Sequence, residues 1–531
     1  MKKKTLAEKG ITLSILTLIS RILGVLRETT KASFLGTSAL ADAFTVAFQL
    51  PNLFRRLFAE NSISVAFIPT FRSYLEENDN KKTQELIYSI FTIISFLTTV
   101  VVLLGIIFAP QIVPLFTDNP EADILPEMAL LTRIMFPYLI VISIAALFQG
   151  ILNSLKIFSP SGFTPILFNI CVIGATYIFA PHFANPARAM ALGVIAGGTI
   201  QALFQLPFVL KQNWKIGFTS LRKAFANPGT KTILRLIGPT VVGMAAYQLN
   251  TLVSQWLAGK SGTGIVSSLS YSLRLQELIL GVFAVTIGSI ILPDLSALAK
   301  KEEWNSFNAM LEQAMNIIAL ITIPITAYSL IFGENIIIFV FKSKKFTDHS
   351  VQLTLQAFTW HIAGLYFIAL NRIIAPAFYA QKQTKLPSLA GIISVGVNIV
   401  LAAILSKLYK GAGIAFALSA ASLVNTILLF VFMKSCNGIQ RGSIISATVK
   451  YLLKITAFSI IAVIPAKLTK PFFVSHFAQY NRFIAQGIPL AAGAVVFFST
   501  GLLLLWLSKD PQLASGFAII KRKMKKQTDD N

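Results

Sequence analysis

Cysteine and histidine are scarce in this chain of 531 residues, which contains two cysteines and four histidines. Cys171 and Cys436 lie far apart, within or next to apolar segments, so no disulfide framework is expected. The motifs GxxxxGKS/T, HExxH, CxxC and GxSxG are all absent, which excludes ATP hydrolysis by a P-loop mechanism and gives no support to any enzyme. The sequence therefore predicts no enzyme activity, no metal site and no cofactor.

Charged residues make up only 13% of the chain, whereas 55% of its residues are hydrophobic and the mean hydropathy is +0.70. A soluble chain of this length would need polar surfaces on most helices, but here uncharged runs of membrane-spanning length recur throughout. Acidic residues number 22 against 46 lysines and arginines, and the net charge is +24. Because membrane topology accounts for this excess, we expect membrane lipids rather than nucleic acid as partners. The composition predicts an all-α polytopic membrane protein.

Uncharged stretches bounded by charges, prolines and glycines predict fourteen transmembrane helices. Several of them exceed the roughly 20 residues that cross the hydrocarbon core, which permits tilt or an extension into water. The predicted spans lie near residues 11–36, 41–73, 86–109, 127–154, 161–181, 189–210, 232–258, 264–298, 307–332, 350–380, 386–406, 411–433, 446–468 and 483–508.

The lysines and arginines are distributed unevenly between the two sides of these spans. The two termini and the alternate loops hold about 28 of the 46 cations, and the opposite loops hold about 10. By the positive-inside rule, this asymmetry predicts a multi-pass protein of the cytoplasmic (inner) membrane with both termini in the cytoplasm. The basic run at residues 521–526 is then well placed to contact anionic lipid headgroups.

Two parts of the chain resemble one another when shifted by 224 residues. Residues 62–78 and 285–303 match in pattern, and Pro69 falls on Pro293. A weaker match, between FNI at residues 168–170 and VNI at residues 397–399, corresponds to a similar shift of 229 residues. These shifts favour a duplicated transporter with two pseudo-symmetric six-helix lobes plus two C-terminal helices, which binds substrate between the lobes near mid-membrane. The predicted domains are 1–220 (helices 1–6), 221–440 (helices 7–12) and 441–531 (two extra helices and a basic tail).

Eight cations fall inside predicted spans, where an arginine at the helix centre costs about 2.5–3.5 kcal/mol. Each of them could have a purely structural role, either by pairing with a neighbouring side chain or by reaching the membrane interface. We expect such a role for Arg133 and Arg372, which are isolated near the ends of their predicted helices. The eight are Arg21, Arg27, Lys31, Arg55, Arg56, Arg133, Arg274 and Arg372.

Four of these arginines lie in the first two predicted spans together with three carboxylates. The spacing pairs Arg56 with Glu60 at i,i+4 and places Arg21 and Glu28 on one helix face at i,i+7. With Arg274 added, the set has two positive charges in excess, and an anion would complete it. Guanidinium groups match phosphate oxygens, so a diphosphate is the natural candidate. The residues of the first two spans are Arg21, Arg27, Arg55, Arg56, Glu28, Asp42 and Glu60.

Four segments carry a resemblance to a known family: SRILGVLRE (20–28), ADAFTVAFQLPNLFRRLFAEN (41–61), RIMFPYL (133–139) and LGVFAVTIGSIILPDLS (280–296). At these segments the sequence resembles the MurJ (MviN) family of lipid II flippases, within the multidrug/oligosaccharidyl-lipid/polysaccharide exporter superfamily. The resemblance covers essentially the whole chain. It implies a 14-helix flippase that carries the undecaprenyl-diphosphate-linked disaccharide-pentapeptide precursor of peptidoglycan from the inner to the outer leaflet, with cell-wall synthesis proteins as candidate partners.

Functional residues follow from the same resemblance. It places Gln49 where the family commonly has a cation, and Leu273 where an aspartate is frequent. The predicted seventh and eleventh helices contain no acid, so we expect dependence on membrane potential rather than on sodium. The resemblance implies substrate binding by Arg21, Arg27, Arg55 and Arg274, with supporting charges from Glu28, Asp42, Arg56 and Glu60.

Three alternative functions remain open on the sequence. A flippase for another polyprenyl-diphosphate-linked oligosaccharide would use the same phosphate chemistry, and only the motifs favour the peptidoglycan precursor. A drug antiporter of the same superfamily would need acids in its cavity, against which the positive excess argues. A structural scaffold for cell-wall assembly would tolerate neutralisation of all four substrate-binding arginines.

Overall fold

The computed structural model describes residues 6–60, 63–118 and 124–513. Within these ranges every regular element is a helix. The α-helices are α1 (Leu6–Leu35), α2 (Ala39–Phe54), α3 (Ile68–Glu76), α4 (Asn80–Ile112), α5 (Ile124–Met135), α6 (Tyr138–Ser154), α7 (Ser159–Phe179), α8 (Pro186–Leu210), α9 (Leu221–Ala226), α10 (Pro228–Lys260), α11 (Ile265–Lys300), α12 (Trp304–Phe341), α13 (Asp348–Ala363), α14 (Leu365–Ala380), α15 (Lys385–Phe432), α16 (Arg441–Phe477) and α17 (Arg482–Leu507).

Nine helical segments in the described ranges are long and apolar enough to cross a membrane. The longest, Lys385–Ser435, contains a chain reversal, because Lys410 has a left-handed backbone with φ 49°. Across this reversal the Ser394 hydroxyl donates to the carbonyl of Ala421 at 2.7 Å, as two antiparallel helices require. The segment therefore holds both helices that the sequence predicts near 386–406 and 411–433. The chain is a multi-pass all-helical membrane protein, and the total of fourteen spans remains a prediction.

The second predicted span, 41–73, is interrupted in the structure. Pro51 lies inside α2, and one turn later the chain adopts π-helical hydrogen bonding over Arg55–Glu60 and again over Ile63–Phe67, before α3 begins. The sequence predicts a kink at Pro51, where a backbone N–H is missing. Single π-helical turns within α-helices are rare and are frequent at functional sites. The arginine pair of this span thus lies at an irregular part of the helix.

The chain forms two compact units. The first comprises Met1–Arg274 with Ser343–Ser350, and the second comprises Leu275–Lys342 with Val351–Asn531. In the first unit, α7 and α8 approach closely because α8 has glycines at the contact: a β-carbon at Gly193 would lie 2.9 Å from that of Ala175. In the second unit, a hydrogen bond joins α12 to α17: the Tyr328 hydroxyl donates to the carbonyl of Leu490 at 2.6 Å.

Arg133, on α5, has a structural role in the first unit. Its Nε donates to the carbonyl oxygen of Ile106 on α4 at 3.1 Å. This is the carbonyl that Pro110, four residues later, leaves without its usual backbone donor. Arg133 therefore satisfies a polar group that would otherwise lie unpaired in the membrane, which agrees with the structural role expected for it.

Candidate functional site

On one side of α1, Lys31 lies four residues after Arg27 and three after Glu28, so that all three side chains can approach one another. These three residues are the best-defined members of the charged face of α1. The Nη2 of Arg27 lies 2.9 Å from Oε1 of Glu28, and the Nζ of Lys31 lies 2.7 Å from Oε2. The three side chains are 18%, 10% and 5% exposed. One carboxylate is thus shared by two cations in a largely buried setting.

Aromatic rings hold the guanidinium of Arg27. Its Cζ lies 5.8 Å from the ring centroid of Phe48 on α2 and 5.6 Å from that of Phe168 on α7. A cation near aromatic faces gains about 0.5–2 kcal/mol, more when water is excluded. A small cavity of about 20 Å³ borders the ring of Phe48 and the three charged groups of α1. The three helices therefore position Arg27 beside a water-sized space.

Arg274 also lies against α1. A β-carbon at Gly24 would overlap its guanidinium group, so the arginine occupies space that only glycine leaves open. Gly24 precedes Glu28 by one turn and follows Arg21 by three residues, and the guanidinium of Arg274 interacts electrostatically with Glu28. The structure thus brings together Arg274 and the charged face of α1. We call Arg27, Glu28, Lys31 and Arg274 the α1 cluster.

Asp42 has a different role from a simple counter-charge. Its Oδ2 accepts a hydrogen bond from the backbone N–H of Gly264 at 2.6 Å, and its Oδ1 accepts one from Ser267 at 2.7 Å. These N–H groups open α11 and have no partner inside their own helix. Asp42 thereby joins the start of α2 to the start of α11. It also lines a cavity of about 190 Å³ beside the Lys260–Asp118 ion pair.

Arg55 and Arg56 begin the π-helical turn, and both are half-buried. The Nε of Arg55 donates to Oδ1 of Asn52 at 3.0 Å, and the Nδ2 of Asn52 donates to the carbonyl of Phe48 at 3.0 Å. Arg55 is therefore connected through α2 to the residue whose ring contacts Arg27. The side chain of Glu60 lies outside the described residues, so its predicted pairing with Arg56 stays a prediction.

Two features of this site were missed from the sequence. Lys31 was counted among the intramembrane cations but not placed at the site, although its i,i+3 spacing from Glu28 indicated a salt bridge. Gly24 was given no role at the site, whereas the glycine admits a guanidinium from another helix. No sequence pattern indicates the second feature, because it depends on how α1 and α11 meet.

Comparison with known proteins gives a consistent family. The family model described as "Lipid II flippase MurJ" matches residues 31–483. The chain is 45% identical to the "Probable lipid II flippase MurJ" of Treponema pallidum (strain Nichols) over 514 residues, 96% of this chain and 97% of the relative. It is 32% identical to the "Lipid II flippase MurJ" of Burkholderia cenocepacia (strain J2315) over 442 residues, 82% and 84% of the two chains.

Solved structures share the fold. "Lipid II flippase MurJ, inward closed conformation" matches with a TM-score of 0.77 at 24% identity, covering 93% of this chain and 99% of that one. An inward-facing multidrug resistance MATE family transporter of the MOP superfamily matches with a TM-score of 0.63 at 15% identity, covering 82% and 99%. The family match over most of the chain and the 45% identity together show that this chain belongs to the MurJ family of lipid II flippases.

Proposed function

We propose that this chain translocates lipid II, the undecaprenyl-diphosphate-linked disaccharide-pentapeptide, from the inner to the outer leaflet of the cytoplasmic membrane. The observation that carries the proposal is the 45% identity over nearly the full length to a protein named as a probable lipid II flippase. The nine apolar helical segments found among the described residues supply the multi-pass scaffold that such transport needs.

The diphosphate is the part of lipid II that suits the α1 cluster. Three cations lie near the single carboxylate of Glu28, and water screens the charges of Arg27 and Lys31 poorly because both side chains are largely buried. In this proposal Arg21, Arg27, Arg55 and Arg274 bind the two phosphate groups, with Asp42, Arg56 and Glu60 as supporting charges. Guanidinium forks suit phosphate oxygens, and a bound anion would offset the positive excess.

Alternating access is the proposed transport step. Two six-helix lobes, residues 1–220 and 221–440, expose the headgroup first to the cytoplasm and then to the outside, while the polyprenyl tail stays in lipid beside the last two helices. Anion binding favours the transition because it screens repulsion among the cations. The proposal includes fourteen spans with both termini in the cytoplasm, and cell-wall synthesis proteins as partners that receive the exported precursor.

Depletion of the protein in its host cells tests this function. Lipid II is expected to accumulate on the inner leaflet, measured by its loss of accessibility to an externally added lipid II-degrading enzyme. Wild-type protein and Arg222→Glu, which changes an exposed arginine on α9, should restore export, whereas Arg27→Glu should not. Accumulation of a different polyprenyl-linked oligosaccharide would assign the second flippase function instead. Normal export by Arg27→Glu would refute the role of the cluster.

A further inference from the structure

Lys31 is a buried lysine with partners on three helices. Besides its salt bridge to Glu28, its Nζ lies 3.4 Å from the hydroxyl of Thr45 on α2 and 3.3 Å from that of Ser270 on α11. The ammonium also lies 4.4 Å from the ring centroid of Tyr271. Removing an ammonium from water costs several kcal/mol unless such partners replace the water. The chain thus builds a complete site for this charge.

The position of Lys31 determines how Glu28 can pair with the arginines. A carboxylate can accept two parallel hydrogen bonds from one guanidinium, and such a pair is nearly neutral. Here Lys31 occupies Oε2, and the Nη2 of Arg27 lies at Oε1. With Lys31 removed, both oxygens become available to the guanidinium of Arg27 and to that of Arg274 nearby. Lys31 therefore limits the neutralisation of the arginines.

We propose that Lys31 is a positioning residue that sets the anion affinity of the α1 cluster by occupying one oxygen of Glu28. The inference rests on the proposed diphosphate binding. The cluster holds three cations and one carboxylate, a surplus of two charges. Loss of Lys31 leaves a surplus of one and allows Glu28 to close onto the arginines. Loss of both Lys31 and Glu28 restores the surplus of two and leaves no carboxylate to compete with phosphate.

A purely structural role for Lys31 gives a different outcome for the same substitutions. If the lysine only ties α1 to α2 and α11, its removal loosens the fold, and removal of Glu28 in addition cannot help. If the lysine sets the charge of the cluster, the second substitution should recover what the first one loses. The double variant therefore separates the two roles in a way that neither single variant can.

The test measures binding of inorganic pyrophosphate to the full-length protein in lipid nanodiscs by isothermal titration calorimetry. Lys31→Met is expected to bind about ten- to a hundredfold more weakly than wild type, the range for losing a favourable charged interaction. Lys31→Met/Glu28→Gln should regain at least about tenfold of that loss. The exposed Lys223→Met on α9 serves as the control and should bind like wild type. Lys31→Gln, which keeps hydrogen bonding to Thr45 and Ser270, replaces Lys31→Met if the latter does not fold.

Each outcome decides one of the two proposals. Wild-type-like binding by folded Lys31→Met or Lys31→Gln, or a double variant no better than the single one, overturns the role of Lys31. Those results would leave the proposed function intact provided that wild type binds pyrophosphate and Arg27→Gln does not. If wild type binds neither pyrophosphate nor lipid II, the proposed recognition of diphosphate itself is overturned. Recovery by the double variant, with thermal stability unchanged from the single variant, supports the assignment.

Discussion

At the scale of single residues, Gly24 is the position where the candidate site depends on the absence of a side chain. The guanidinium of Arg274 occupies the space next to its α-carbon. Gly24→Ala would push this guanidinium away from α1. Because the displaced group is the flexible end of a side chain and alanine favours a helix over glycine, we expect little loss of stability. We expect a clear loss of lipid II export, measured in cells depleted of the native protein.

Gly174→Ala on α7 is the matched control, because no described atom from outside its own stretch of helix lies within 4 Å of the β-carbon it would add. Its export should equal that of wild type. Unchanged export by Gly24→Ala would show that the position of the Arg274 guanidinium does not matter for transport.

Asp42 is the second informative residue, because its two carboxylate oxygens accept hydrogen bonds from the backbone N–H groups of Gly264, just before α11, and Ser267, in its first turn. Asp42→Asn places an amide donor where one of these acceptors stood. Since a hydrogen bond to a charged group contributes about 1.5–3 kcal/mol, we expect a lower unfolding temperature in detergent. Faster hydrogen exchange at the Ser267 amide, measured by mass spectrometry, should accompany it; unchanged exchange would show that the bond contributes nothing to holding this helix start.

At the scale of helices, a proline inside a helix leaves a backbone carbonyl without its donor, and a side chain from a neighbouring helix can replace that donor. Arg133 donating to the carbonyl freed by Pro110 is the clearest case. Arg133→Met should reduce the free energy of unfolding by about 1 kcal/mol, because that carbonyl then lacks a donor. Pro110→Ala supplies a backbone N–H, so in that background the same substitution should cost much less. Chemical denaturation of the four proteins in detergent measures the coupling, and additive effects would contradict it.

Helix boundaries marked by charged residues can be predicted from the sequence, whereas changes in backbone hydrogen bonding within a helix cannot. The reversal at Lys410 follows a short charged break between apolar runs, and the predicted boundaries at 406 and 411 bracket it. The π-helical turn at Arg55–Glu60 was not predicted, since a shift of one residue in hydrogen bonding leaves no periodicity to read. The position of Lys31 likewise depends on Thr45 and Ser270, which come together only in the folded chain.

At the scale of the whole molecule, a boundary between the two compact units falls between Arg274 and Leu275, inside α11. The first unit contains the complete α1 cluster. The two six-helix lobes, with a boundary near residue 220, remain a prediction. They were predicted from a repeat in the sequence, which reflects a duplication in evolution, whereas the compact units reflect contacts in one conformation. The basic run at 521–526 lies outside the described residues.

Topology can be tested with cysteine labelling, since the native background should be low. Burial raises the pKa of the Cys436 thiol to about 11, so little reactive thiolate exists near neutral pH. Cysteines introduced at the exposed positions Thr263 and Lys382 lie in predicted outer and inner loops. A membrane-impermeant maleimide applied to intact cells should label Thr263→Cys and not Lys382→Cys until the membrane is opened. The reverse pattern would place the termini outside.

Buried cations of the first unit are proposed to recognise the diphosphate of a lipid-linked precursor. The most direct measurement is the affinity of the full-length protein in nanodiscs for purified lipid II, comparing wild type, Arg27→Gln and the exposed Arg222→Gln. We expect Arg27→Gln to bind lipid II about ten- to a hundredfold more weakly than wild type, and Arg222→Gln to bind it like wild type. Equal affinity for lipid II in all three proteins would contradict it.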